Sequence, residues 1–360
     1  MVPIEEATKS MWSVDPFAGE KKENYIWGRG TADDKVNLIS IMEATEALLA
    51  ESYQPERTIY LAFGHDEELG GTGARAIVAL LKSRKVRVDM VLDEGGYITD
   101  KEVPYMSSPV ALIGTSEKGY LSLELTAEKN GGHSSMPESE TSIDILTKAL
   151  VKLRQHPFEA DFNASTQGFL DHIGPEMPFA MKIVFANQWL FKRMIVGIYE
   201  KSGKTNAFVR TTIAPTILQA GVKDNVIPTF AKAVVNFRLL PGDSSAKVID
   251  HVIRSINDER ITVNQFNNFK GEPTAITSET GFAYSKVDQI ARRSFPGTIT
   301  TPFLMLGGTD SRHFSEISDG ILKFSPITDP IGFHGIDERV TIKSYQSAIW
   351  FYEQLMRDTK

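Results

Sequence analysis

The stretch RTIYLAFGHDEELGGTGARAIVALLKSRKVRVDMVLDE, residues 57–94, carries the pattern that decides the fold class. The apolar run at residues 59–63 predicts a buried strand over 57–63, and residues 72–83 have the apolar spacing of a helix. Residues 88–92 predict a second strand, and a helical pattern at 35–50 precedes the whole stretch. This alternation of helices and strands predicts a parallel sheet with helices on its faces, whose ligands bind outside the carboxyl ends of the strands.

Acidic residues flank these elements in three pairs: Asp33 and Asp34, Glu67 and Glu68, and Asp93 and Glu94. A single pair of this kind is typical of a solvated turn. Three pairs at one edge of a sheet would repel one another, and a divalent cation supplies the counter-charge. Oxygen and imidazole ligands suit zinc, while manganese and cobalt remain alternatives.

The middle of the chain has a different pattern. Residues 121–129 alternate between apolar and polar side chains, as in a half-exposed antiparallel strand, and residues 142–155 predict an amphipathic helix. From about residue 272 the α/β pattern returns. We therefore predict an α/β catalytic domain formed by 1–116 and 271–360, interrupted by an inserted α+β lid or dimerisation domain at 117–270.

Composition excludes several classes of protein. The chain has 360 residues, a net charge of −7 and no strongly basic stretch, so a nucleic-acid partner is not expected. No apolar run approaches the roughly 18 residues of a membrane span. Cysteine is absent, which removes disulfides and thiolate chemistry. Neither a G-x-S-x-G elbow nor a G-x-x-x-x-G-K-[ST] phosphate loop is present.

A family resemblance rests on segments that occur in one order: GRGTADDK, GHDEELGGTGA, VLDEGG, GGHSSMP, NFRLLPG, GGTDSRHF and FHGIDERV. The chain resembles the dinuclear zinc amidohydrolases and peptidases of the aminoacylase I and carboxypeptidase S group, particularly their N-fatty-acyl-amino-acid synthase/hydrolase branch. The resemblance implies a zinc-dependent amidohydrolase that cleaves, or in reverse forms, the amide of an N-acyl amino acid. The alternatives are a carboxypeptidase acting on short peptides and a relative with impaired catalysis that only binds or dimerises.

The same resemblance implies a metal site for two zinc ions. Asp33 would bridge the ions, Glu68 would bind one of them, and His334 would complete the second site. Asp93 or Glu94 would bind the other ion, with Asp93 preferred. Glu67 would be the general base that takes a proton from water and passes it to the leaving amine.

Substrate contacts are expected from the inserted domain and the loop near its end. His133 resembles the histidine that polarises the scissile carbonyl, and in dimeric relatives that histidine reaches the neighbouring subunit, so a homodimer is possible. Asn225, Arg238 and Arg312 resemble residues that hold the carbonyl and carboxylate of the substrate, to which a guanidinium is well suited. For Arg238 an ordinary ion pair with a nearby acid is the alternative.

The first residues, Met1-Val2-Pro3, match the family immediately after an H-x-D segment whose histidine binds zinc. We therefore expect that one zinc ligand and the first strands of the catalytic sheet lie outside this sequence. An incomplete chain is favoured over a natural inactive form, and this polypeptide alone is expected to be poorly active. The resemblance suggests a secreted or vacuolar/lysosomal location.

Overall fold

The computed structural model describes residues 2–267 and 271–358, so the predicted domain boundary at residue 270 lies outside the described residues. The α-helices are α1 (Glu6–Lys9), α2 (Val36–Ala50), α3 (Thr72–Ser83), α4 (Ser142–Gln155), α5 (Ala164–Ile173), α6 (Phe179–Ala186), α7 (Gln188–Tyr199), α8 (Gly203–Asn206), α9 (Ser245–Ile256), α10 (Phe282–Ser294) and α11 (Ile342–Arg357). The strands are β1 (Lys21–Lys22), β2 (Tyr25–Trp27), β3 (Val91–Thr99), β4 (Val110–Glu117), β5 (Gly119–Glu128), β6 (Gly132–His133), β7 (Thr212–Ala220), β8 (Val226–Ile227), β9 (Phe230–Leu239), β10 (Ile261–Gln265), β11 (Ile299–Met305), β12 (Ile321–Thr328) and β13 (Arg339–Thr341). Among the described residues, no helix combines the length and apolar character needed to cross a membrane.

The first four-stranded sheet has the order β11-β4-β12-β3. Strands β11 and β4 are parallel, as are β12 and β3, and short antiparallel contacts join β4 to β12 and to the end of β3. Helices α2, α10 and α11 cover this sheet through a core that includes Ala44, Val287, Phe324 and Phe351. The predicted α/β class is confirmed.

The second four-stranded sheet is antiparallel, with the order β10-β5-β9-β7. Its alternating apolar residues, such as Leu121, Leu123 and Leu125, pack against α4 and α9. Helix α4 begins where it does because Thr141 and Asp144 form a capping box. The period-2 and helical patterns of the sequence are both confirmed here.

Helices α5 and α6 pack against the first sheet, although they lie within the predicted inserted domain. Phe169 contacts Phe303 of β11 at 6.2 Å between ring centroids. Ile173 and Met177 share a core with Leu112 of β4. The chain between α4 and β7 therefore leaves the second sheet and covers β11 at the edge of the first; the domain boundaries themselves stay a prediction.

Two sequence predictions in the opening stretch need correction. Residues 57–63 belong to no strand in the described structure, and Ile59, Tyr60, Leu61 and Phe63 are exposed. An apolar run becomes a buried strand only where a neighbour pairs its backbone N–H and C=O groups. The strand predicted at 88–92 instead begins at Val91 and continues to Thr99, so Asp93 and Glu94 lie within it rather than beyond it.

Candidate active site

Three predicted metal ligands converge although they are far apart in the sequence. The Nε2 atom of His334 lies 2.6 Å from Oδ2 of Asp33 and 3.3 Å from Oε1 of Glu68. One ligand atom from each of the three residues lies within 4.8 Å of the other two. The arrangement differs from the expected division of the sites, because His334 joins Glu68 rather than the Asp93–Glu94 pair.

Asp34, Asp93 and Glu94 are three further acids of this site, and each has a raised pKa. Burial, followed by the charges of Asp34 and Asp33, raises the pKa of Glu94 to about 11. Burial and the charges of Asp93 and Asp33 raise the pKa of Asp34 well above its ordinary range. Burial also raises the pKa of Asp93. Carboxylates with an imidazole form a donor set that fits zinc, and a cation would restore the ionised form of these acids.

Glu67 and Asp66 show that adjacent acids can have opposite roles. Burial and the charges of Glu68 and Asp310 raise the pKa of Glu67 to about 7, which suits a general base. Asp66 instead accepts hydrogen bonds from the backbone N–H groups of Thr72 (2.9 Å) and Gly73 (2.8 Å) at the start of α3. Asp66 therefore caps a helix and is not one of the acids that need a cation.

Asp93 is held by backbone hydrogen bonds. Its Oδ2 accepts a hydrogen bond from the backbone N–H of Ser311 at 2.7 Å, and its Oδ1 accepts one from the N–H of Glu94 at 2.9 Å. The loop of Ser311 is itself bound by the buried carboxylate of Glu117, which accepts hydrogen bonds from the Ser311 hydroxyl and from Thr309. Lys323 lies 3.3 Å from Glu117, and both side chains are buried.

A cleft of about 370 Å³ adjoins the acids. Its lining residues include Glu67, Glu68, Glu117, Lys118, Tyr120, Arg238 and Arg312. The Arg238 guanidinium lies 4.8 Å from the centroid of the Tyr120 ring, and burial lowers its pKa, although an arginine stays charged. A larger cavity, lined by residues such as Asp161, Lys192 and Arg210, contains none of the predicted site residues.

His133 and Asn225 form a separate group on the β6–β8 pair, where the Asn225 carbonyl accepts a hydrogen bond from Ser134 N–H at 3.2 Å. The backbone N–H of Ser135 donates to Nδ1 of His133 at 3.2 Å, so Nε2 carries the proton of the neutral ring. His133 is exposed, and no contact recorded between described residues links it or Asn225 to the acids. The structure thus joins the predicted metal ligands but not this pair.

The profile of Peptidase family M20/M25/M40 matches residues 1–358. The chain belongs to this family. It is 40% identical over 364 residues to the N-fatty-acyl-amino acid synthase/hydrolase PM20D1 of Xenopus tropicalis, covering 99% of this chain and 71% of that protein. It is 39% identical over 356 residues to the probable carboxypeptidase S-like 2 of Dictyostelium discoideum, covering 97% and 68%.

Solved structures share the fold. An M20 family metallo-carboxypeptidase from Sulfolobus solfataricus superposes with a TM-score of 0.65 at 18% identity, covering 99% of this chain and 82% of that one. Human carnosine dipeptidase 1 superposes with a TM-score of 0.58 at 14% identity, covering 99% and 77%. Together with the sequence relatives, these matches confirm an M20 metallohydrolase.

Sequence reasoning missed several residues that shape this M20 site. Lys118, Tyr120 and Glu117 line the cleft, and Lys323 is fully buried beside Glu117. These residues are difficult to identify from the sequence, because an E-K-G tripeptide between two strands does not indicate any particular kind of site. Lys323 is easier to recognise, since a lysine between Leu322 and Phe324 in a predicted strand indicates a buried counter-charge.

Proposed function

We propose that this chain hydrolyses, or in reverse forms, the amide bond between an acyl group and the nitrogen of an amino acid. The observation that carries the proposal is the convergence of Asp33, Glu68 and His334 beside a cleft that is also lined by Arg238 and Arg312. An amidohydrolase needs a metal site at the scissile carbonyl and a cation for the free carboxylate of the substrate. The names of the amphibian relative and the carboxypeptidase S-like relative agree with this chemistry.

Asp33, Glu68 and His334 would hold one zinc ion, and Asp33 with Glu94 would contribute to the second. Glu94 replaces Asp93 as our preferred ligand because both carboxylate oxygens of Asp93 already accept hydrogen bonds from backbone N–H groups. Asp93 would instead hold the loop of Ser311 in place through its hydrogen bond to the Ser311 N–H. Zinc, when bound, supplies a Lewis acid that polarises a carbonyl group and lowers the pKa of water.

The chain's own residues account for the remaining steps. Glu67 takes the proton of the attacking water and delivers it to the leaving nitrogen as the amide bond breaks. Arg238 and Arg312 hold the substrate carboxylate through charge-assisted hydrogen bonds. Lys118 is a poorer candidate for this role, since its Nζ already donates to the carbonyls of Ala207 and Arg210 at 2.8 Å.

His133 would donate from Nε2 to the developing oxyanion, because its Nδ1 accepts the Ser135 N–H. Its separation from the acids supports a proposal that it acts in the site of a second copy of the chain, within a homodimer formed through the inserted domain. Mixing an H133A variant with a D33N variant tests this arrangement. In a dimer with crossed sites, the mixture regains activity that neither variant has alone.

A carboxypeptidase that releases the last residue of a short peptide is the second candidate, favoured by the 39% identity to the carboxypeptidase S-like protein. Both reactions use one site and one carboxylate contact, so the acyl side of the substrate separates them. We would compare N-oleoyl-phenylalanine with a blocked dipeptide ending in phenylalanine, at saturating zinc and equal enzyme concentration. Faster release of phenylalanine from the oleoyl substrate supports the amidohydrolase, and a preference for the dipeptide supports the carboxypeptidase.

A further inference from the structure

Arg29 and Glu338 form a buried ion pair between the two chain segments that carry Asp33 and His334. The Nη1 atom of Arg29 lies 2.6 Å from Oε2 of Glu338, and the side chains are 5% and 1% exposed. Arg29 precedes Asp33 by four residues, and Glu338 follows His334 by four residues. The pair therefore joins segments that are more than 300 residues apart at the position of the metal triad.

The carboxylate of Glu338 binds the backbone that leads into Asp33. Its Oε2 accepts a hydrogen bond from Gly30 N–H at 2.8 Å. Its Oε1 accepts hydrogen bonds from the N–H groups of Ala32 at 2.8 Å and Asp33 at 3.1 Å. These N–H groups lie in the irregular segment that leads into α2, so Glu338 fixes the backbone from which the Asp33 side chain projects.

The guanidinium of Arg29 binds the other segment. Its Nη2 donates to the carbonyl of Gly335 at 2.8 Å and to that of His334 at 3.3 Å. His334 has a φ of +54°, in the left-handed region that a residue with a side chain seldom adopts. Such a backbone persists only where the surroundings hold it, and the planar fork of Arg29 spans Glu338 and both carbonyls at once.

We propose that the Arg29–Glu338 pair is a positioning device that sets the distance between Asp33 and His334, and so the affinity of the metal site. This inference rests on the zinc binding proposed above. The competing explanation is that the pair only stabilises the fold. A buried ion pair is weak evidence for stability, because apolar residues of similar volume often replace it without loss.

The test measures zinc affinity and thermal stability in parallel for wild type, R29K and the double variant R29M/E338L. Zinc affinity is measured by competition with a chromophoric chelator, and Tm is measured on the metal-free proteins. R29K keeps a charge for Glu338, but a lysine cannot also reach both carbonyls. R29M/E338L replaces the pair with apolar side chains and leaves no unpaired charge.

We expect zinc affinity to fall by about 10- to 100-fold in both variants, as for other residues that orient metal ligands. The Tm of the metal-free double variant should stay close to that of wild type. K286M, which removes the Lys286–Asp358 ion pair away from the triad, is the matched control and should bind zinc like wild type.

Wild-type zinc affinity in R29K or in the double variant would overturn the positioning role while leaving the proposed function intact. If the double variant fails to fold, R29K alone decides the matter. A wild-type chain that binds no zinc would contradict both the proposed function and the positioning role. The two failures are therefore distinguished by whether the wild-type chain itself binds zinc.

Discussion

The acidic cluster around Asp33, Glu68 and His334 and the cleft that adjoins it treat charge in opposite ways. On the acidic side, Asp34, Glu67 and Glu94 have raised pKa values because negative groups are buried close to one another. On the basic side, Arg238 lies against the Tyr120 ring, and burial with the charge of Arg238 lowers the pKa of Lys118 to about 7. The acidic cluster therefore has an excess of negative charge, whereas the adjoining cleft brings Lys118, Arg238 and Arg312 together beside Glu117.

This difference indicates what each side binds. The acidic side is stable in its ionised form only with cations beside it, whereas the basic side calls for an anion such as a carboxylate. A substrate with an amide at one end of a short span and a free carboxylate at the other satisfies both sides. Four predictions test the comparison, ordered from the largest expected effect to the smallest.

Glu67→Gln should lower the rate of amide cleavage by about 10²- to 10⁴-fold, since an amide cannot accept the proton from water. Zinc content should not change, because Glu67 is not among the proposed ligands. Single-turnover assays with mass-spectrometric detection of the free amino acid measure the rate, and elemental analysis measures the zinc. Full activity in the variant would show that the base is another residue.

Arg238→Met should raise KM by about 10- to 100-fold, the value of one hydrogen bond to a charged group, with a smaller effect on kcat. The loss should disappear for a substrate whose carboxylate is replaced by a carboxamide. Arg260→Met, at an exposed arginine paired with Asp258 and Glu140, is the matched control. An equal loss on both substrates would mean that Arg238 has a structural role only.

The metal-free protein should lose stability as pH rises. The pKa of Glu67 is about 7 in the folded chain against an ordinary value of 4.5, so folding favours its protonated form. Its contribution is complete below pH 4.5 and is lost as pH approaches 7. Melting scans between about pH 4.5 and pH 7 should show Tm falling without zinc and falling less with saturating zinc; a Tm that rises over this window without zinc would contradict the charge assignment.

Asp66→Asn should have the smallest effect. The Thr72 hydroxyl makes the largest contribution to lowering the pKa of Asp66 to about 2. Backbone N–H groups at the start of α3 also donate hydrogen bonds to its carboxylate and lower this pKa. We expect a decrease of a few degrees in Tm and unchanged zinc affinity, whereas Glu68→Gln should lose zinc binding. Weakened zinc binding in the Asp66 variant would instead mean that Asp66 is a zinc ligand.

Much of the fold could be predicted from periodicity alone. Helices 72–83 and 142–155 coincide with α3 and α4, because apolar spacing and caps act within one element. The error at residues 57–63 has the opposite cause, since whether an apolar run is buried depends on a neighbour that its own sequence does not specify.

The site could be predicted only in part, because its geometry also depends on contacts between segments that are distant in the sequence. Acidic pairs beside glycines identify candidate ligands, but the partner of His334 depends on how loops 300 residues apart approach each other. Arg29 and Glu338 lay within quoted motifs, yet their hydrogen bonds to backbone groups become visible only in three dimensions.

Parallel zinc titration of the wild-type chain and Asp33→Asn tests most directly whether Asp33, Glu68 and His334 form a zinc site. We expect the wild-type chain to bind zinc and the variant to bind it more weakly by over about 100-fold, since Asp33 is proposed as a direct ligand rather than a supporting residue. Equal zinc binding by the two proteins, or none by the wild-type chain, would contradict the account.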